Sequence, residues 1–117
     1  MSGVLSGVRV LDFGRFIAGP FAATFLGDLG SDVIRIERLD GGEDRWTTPV
    51  TSDGQGALFL QVGRNKRSVT LNPMKEKGRE IMNSLVRSAD IVVANLPPET
   101  RKQMLSLIHI SEPTRPY

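Results

Sequence analysis

The chain has no cysteine. Disulfides, thiolate-held zinc and a cysteine nucleophile are therefore excluded, and a reducing, cytoplasmic setting is the expectation. Its single histidine, His109, and single tyrosine, Tyr117, both lie near the carboxyl end, so the body of the chain has neither for acid–base work. Long apolar runs are missing too. The longest stretch without a charged residue, Phe16 to Gly27, has twelve residues and includes Gly and Pro, whereas a membrane span needs about 20. No basic segment precedes an apolar run at the start, so no secretory signal is expected. Fifteen basic against thirteen acidic residues leave a net charge of +2, too little to point to nucleic acid. No G-x-G-x-x-G, P-loop or nucleophile-elbow motif occurs, and no His/Cys cluster suggests a metal.

What is present reads as one α/β domain. The chain's 117 residues, 39% hydrophobic and 24% charged, suffice for one core. Val8, Val10 and Leu11 form a short strand that stops at Asp12. A helix follows from about Pro20, a residue suited to a first turn, and ends at Gly30. Its Phe21, Phe25 and Leu29 repeat at spacing four, with Ala22 and Leu26 beside them, and predict a core-facing stripe. Val33, Ile34 and Ile36 make a second strand, parallel to the first because a helix separates them. Residues 39–56 read as a long loop, and 57–62 as a strand or part of one. Asn65 to Ser68 reads as a polar turn, with a strand over 68–71. Asn72 and Pro73 predict a helix entry. Ile81, Met82, Leu85 and Val86 predict an apolar face up to about Ser88. Ile91 to Val93 predict a buried strand ending at Asn95, and Glu99 to Met104 a further helix. Alternating strands and helices predict an α/β, Rossmann-like, mostly parallel sheet with flanking helices.

Anion-binding chemistry concentrates in the first third. The loop before the first helix carries Gly14, Arg15 and Gly19, and a helix N-terminus attracts anions. Arg35 and Arg38 stand at the carboxyl end of the second strand, where open α/β sheets bind ligands, and a guanidinium fork suits phosphate. The same arginines could simply pair with Glu37 or Asp40. Arg64, Lys66 and Arg67 form a second basic group, either a phosphate cradle or a polar turn. Asn95 could bond an adenine edge or a pantetheine amide, or cap the next turn. Asp12, Asp28 and Asp32 each sit at an element end, where turn and capping roles are common.

Several segments together resemble the class III CoA-transferases: Val10 to Phe13, Ala18 to Phe21, Leu26 to Gly30, Asp32 to Glu37, Asn65 to Ser68 and Ala89 to Asn95. They span nearly all of Val4 to Met104 in matching order and spacing. The resemblance implies the incomplete N-terminal part of a Rossmann-like fold whose family forms interlocked homodimers. It implies no permanently bound cofactor, coenzyme A or acyl-CoA as substrate, and a carboxylic acid as acceptor. By position it implies that Arg15, Ile17 and Ala18 line the CoA site, that Arg38 meets the nucleotide end, that Leu71 lies beside the adenine and that Asn95 contacts CoA. A lysine expected after Leu71 falls on Met74, with Lys75 adjacent; an arginine expected in the last helix falls on Gln103, with Arg101 nearby. Formyl-CoA members carry histidine and glutamine at the positions of Arg15 and Ile17, which argues against formyl-CoA or oxalate here.

The family's nucleophilic aspartate falls on no residue of this chain, so the chain by itself is expected to be inactive and marginally folded. Acyl-CoA racemase or lyase chemistry of the same superfamily, or a non-catalytic CoA- or nucleotide-binding module, are the alternative readings. Residues 1–104 are expected to form the CoA-binding domain. Leu105 to Arg115 resembles a translated sequencing adapter, so residues 105–117 are expected to be foreign to the domain.

Overall fold

The structure, a computed structural model, describes residues 3–41, 45, 51–95 and 99. Four strands form one sheet: β1 (Arg9–Asp12), β2 (Asp32–Glu37), β3 (Lys66–Thr70) and β4 (Ile91–Val93). The spatial order is β3-β2-β1-β4, and every pairing is parallel. Parallel neighbours need crossovers, and the helices α1 (Ala18–Asp28), α2 (Ala57–Val62) and α3 (Glu76–Ser88) lie in them.

The pleat sends alternate side chains to opposite faces. Leu11, Ile34 and Ile36 join Phe13, Leu71 and Met82 in one core cluster, against which Val69, Leu85 and Val86 pack. Val10 and Val33, paired in register, join Ala23 of α1 in the other. α3 therefore covers the first face and α1 the second. Gly78 lets the first turn of α3 pack against the segment that leads into it: a Cβ there would collide with the Asn72 carbonyl.

α1 corrects the expected stripe. It turns Gly19, Pro20, Ala23 and Thr24 to the sheet, while Phe21, Phe25 and Leu29 remain 39%, 52% and 49% exposed. Small residues allow a close helix–sheet approach; at Gly27 a Cβ would already be 3.3 Å from the Val33 side chain. The bulky residues take the outer side, where Phe21 and Phe25 meet edge to face with ring centroids 4.6 Å apart. Ile81 of α3, expected in the core, is likewise half-exposed.

Other boundaries move for physical reasons. Residues 57–62 are a helix rather than a strand, because β2 and β3 are parallel and this segment carries the connection between them. Strand pairing begins at Lys66, inside the expected polar turn. α3 starts at Glu76, not Pro73; Asn72 instead accepts the Met74 amide through Oδ1 at 3.0 Å and the Lys75 amide through its carbonyl at 3.1 Å. Among the described residues β4 pairs with β1 alone, and Ile91 and Val92 are part-exposed rather than buried. The helix start is as expected, with Pro20 in the first turn, and Gly30 takes φ +107° just past its end. Beyond Asn95 only Glu99 is described, so the expected helix Glu99 to Met104 and the segment 105–117 lie outside the described residues.

Candidate functional site

Parallel strands bring their carboxyl ends to one edge of the sheet, and the loops that leave this edge are where ligands bind in open α/β folds. Across the order β3-β2-β1-β4 those loops begin at Leu71, Arg38, Phe13 and Ala94. The sequence-derived residues Arg15, Ile17, Ala18, Arg38, Leu71, Lys75 and Asn95 therefore share one edge. Arg101 lies outside the described residues.

The β1–α1 loop is held at several points. Phe13 donates its amide to the Val93 carbonyl at 2.8 Å. Gly14 donates to Asp12 Oδ1 at 2.8 Å. The other Asp12 oxygen takes Lys66 Nζ at 2.7 Å, and the same ammonium reaches the Pro20 carbonyl at 2.9 Å. This pair is almost dry, with side chains 2% and 0% exposed. Asn95 receives the Arg15 amide on Oδ1 at 2.7 Å and returns Nδ2 to the Arg15 carbonyl at 2.9 Å. The Arg15 guanidinium folds back on the Gly14 carbonyl at 3.0 Å. Gly14 and Gly19 touch backbone to backbone: a Cβ on Gly19 would stand 3.0 Å from Gly14 Cα. Their role here is this close approach. Phe16 adopts φ +63°, a conformation that costs a bulky residue about 1–3 kcal/mol and persists only where surroundings impose it. The loop feeds into α1, whose N-terminus has no side-chain cap and no acid in its first turn, leaving the positive end of the helix uncompensated by them.

At the end of β2, Arg35 points inward and is only 2% exposed. It is not a surface cation awaiting a phosphate. It meets Glu37 Oε1 at 3.3 Å. Arg45 clasps Glu37 with two contacts of 2.6 Å, and Ser68 Oγ adds a third at 3.0 Å. The Phe59 ring lies 4.0 Å from the Arg45 guanidinium carbon and 5.4 Å from that of Arg35. Arg38 stays exposed beside Asp40, at 3.5 Å. The Leu71 side chain is in the core, and its amide donates to the Glu37 carbonyl at 3.1 Å. Lys75 is exposed at the entry to α3.

The second basic group does not converge. Arg64 pairs with Asp28 at 2.8 Å, Arg67 with Asp32 at 2.6 Å, and Lys66 turns inward to Asp12. Asp28 ends α1 and Asp32 begins β2, so Arg64 and Arg67 occupy the amino edge of the sheet, opposite the candidate site. Asp28, Asp32 and Asp12 thus hold local structure, as their positions at element ends suggest. Hydrogen bonds from Arg64 and Asn65 hold the Asp28 carboxyl below its ordinary pKa. At Asp32 burial acts to raise the pKa, but Arg67 and Arg9 outweigh it and the net direction is down. Asp53 is lowered as well, by Thr51 and Gln55. A carboxyl with a depressed folded pKa contributes stability above its unfolded value and loses it as pH falls through the folded one. Unfolding free energy is therefore expected to be level near pH 5–7 and to fall below about pH 4. Asp32→Asn should flatten that acid limb, as urea titrations at pH 3 and pH 7 would show.

Among the described residues no group of three or more His, Cys, Asp or Glu could hold a metal ion, and no helix is long and apolar enough to cross a membrane.

Comparison with known proteins settles the family. Residues 5–107 match the model of CoA-transferase family III. The chain belongs to that family. It is 40% identical over 102 residues to succinyl-CoA:glutarate CoA-transferase of Mus musculus, a match covering 86% of this chain and 23% of the relative. It is 40% identical over 105 residues to succinyl-CoA:mesaconate CoA-transferase of Haloarcula marismortui, covering 86% of this chain and 26% of the relative. Among solved structures, a CAIB/BAIF family protein from Brucella suis superimposes with a TM-score of 0.79 at 31% identity, over 92% of this chain and 31% of that one. The chain thus spans about a quarter of the curated family III relatives it matches.

What sequence reasoning missed at this family III edge is the charged layer under it. Asp12, Lys66, Glu37 and Arg35 are internal, and Arg45 closes over Glu37. The available signal was their alternation with Leu11, Ile34, Ile36 and Val69, which places the charged residues together on the α1 face.

Proposed function

We propose that this chain forms the coenzyme A-binding edge of a CoA-transferase that moves CoA from an acyl-CoA to a carboxylic acid. The observation that carries the reading is the shared carboxyl edge: the held β1–α1 loop, Arg38, the 71–75 segment and Asn95 emerge from adjacent parallel strands of a family III chain. The positive end of α1 and the exposed Arg38 suit phosphate groups. Holding the long CoA handle fixes the thioester and removes entropic cost from the reaction. The chemistry is that of an aspartate outside these 117 residues. Its carboxylate attacks the thioester carbonyl, expels CoA thiolate and leaves an acyl-aspartyl anhydride. The names of the Mus musculus and Haloarcula marismortui relatives favour succinyl-CoA as donor and a dicarboxylic acid as acceptor.

The reading extends to a cytoplasmic homodimer, to residues 1–104 as the CoA-binding domain and to 105–117 as an adapter-derived tail. Placed in the full-length protein, Arg38→Ala should raise the KM for acyl-CoA about tenfold, the loss of one charge-assisted contact, with kcat little changed. Initial rates against acyl-CoA concentration check this; an unchanged KM removes Arg38 from the site.

A further inference from the structure

Asn95 stands at the exit of β4, 80 residues from Arg15 in sequence. Its side chain makes the two bonds a neighbouring strand would make to a single residue: Oδ1 accepts the Arg15 amide and Nδ2 donates to the Arg15 carbonyl. A carboxamide one carbon from the backbone is suited to this. Aspartate lacks the donor, alanine lacks both groups, and glutamine adds a rotatable bond. The bonded peptide groups immediately precede Phe16, the residue held at φ +63°. They also lie against the Gly14–Gly19 contact: a Cβ on Gly19 would stand 3.1 Å from Asn95 Oδ1. The loop shape and the latch therefore require each other.

We propose that Asn95 is a positioning residue, whose carboxamide clamps both peptide groups of Arg15 and so fixes the β1–α1 loop in the form that receives coenzyme A. This rests on the coenzyme A reading above and departs from it in one respect: Asn95 acts on the ligand through the loop. A pre-set loop binds more tightly because its ordering cost is met before the ligand arrives. Phe16 is the strained element that the latch keeps in place.

The test follows amide hydrogen exchange, resolved to single residues by mass spectrometry, in the full-length protein, together with titration by coenzyme A, for the unmutated protein, Asn95→Ala, Asn95→Asp and Arg38→Ala. Asn95 is exposed, so its replacement leaves the core intact. Asn95→Ala is expected to speed exchange of the Arg15 amide about tenfold or more relative to Val33, and to weaken coenzyme A binding about tenfold. Asn95→Asp keeps an acceptor for that amide and should retain most of its protection. Arg38→Ala should weaken binding without changing Arg15 exchange. Unchanged Arg15 exchange in Asn95→Ala overturns the proposal, and if affinity falls all the same, Asn95 touches the ligand directly. Faster exchange with unchanged affinity overturns the positioning role. If the unmutated protein fails to bind coenzyme A, the functional reading and the ligand half of this proposal fall together, and the exchange ratio still decides the latch.

Discussion

Lys66→Met is expected to lower the unfolding free energy by about 3–5 kcal/mol, the cost of leaving a buried charge without its partner. Asp12 is fully buried, and its second oxygen is already engaged by the Gly14 amide. Without the ammonium the carboxylate keeps one hydrogen bond and loses this counter-charge, and the Pro20 carbonyl loses one of its donors, the Thr24 hydroxyl remaining 2.8 Å away. The pair as a whole is worth much less than this, because both charges had to be desolvated to form it. Lys66→Met combined with Asp12→Asn should therefore recover much of the loss, since the amide oxygen still serves Gly14. Urea unfolding of the single and double variants, made in the full-length protein, measures the difference. A double variant as unstable as the single one would show that the damage comes from lost packing of the lysine stem.

Glu37→Gln is expected to have a comparable effect, also about 3–5 kcal/mol. The carboxylate is fully buried and serves Arg35, Arg45 and Ser68 together. Replacing it removes the negative charge that the buried Arg35 meets at 3.3 Å and that Arg45 clasps at 2.6 Å. Arg45→Ala should cost far less, about 1 kcal/mol, because its side chain is 33% exposed and water can take over part of its role. The ranking of the two variants in urea is the decisive result. Equal effects would mean that Arg45, rather than the Glu37–Arg35 pair, anchors this corner. Because Arg38 follows Glu37 directly, Glu37→Gln should also disturb the exposed arginine offered to the ligand.

The strands were legible because Val10, Leu11, Val33, Ile34 and Ile36 are apolar, mostly β-branched and separated by one helix, so parallel pairing followed. The position of α1 was legible from Pro20 and Gly30, but its rotation was not. A spacing of four at Phe21, Phe25 and Leu29 marks an apolar side without saying what it faces, and Gly19 and Ala23 pack closer to the sheet than bulky residues could. Residues 57–62 are too few to separate helix from strand by period; what decides is that β2 and β3 are parallel neighbours. At the candidate site the list of edge residues could be read from the sequence, since strand ends give loops. The face that the internal charges share is marked by alternation, but their partners are not. Lys66 finds Asp12 across 54 residues of chain, and Asn95 finds Arg15 across 80. No local pattern encodes such a partner. It also follows that Arg35 and Arg38, three residues apart, have opposite fates, one buried under Phe59 and one in solvent.

The most direct measurement is a map of amide hydrogen-exchange protection in the full-length protein on titration with coenzyme A. Binding should saturate, and the protection should gather at residues 14–19, Arg38, 71–75 and Asn95, along the carboxyl edge of the sheet. Protection centred instead on Arg64, Arg67 and Asp28 at the amino edge, or no saturable binding, would contradict the account.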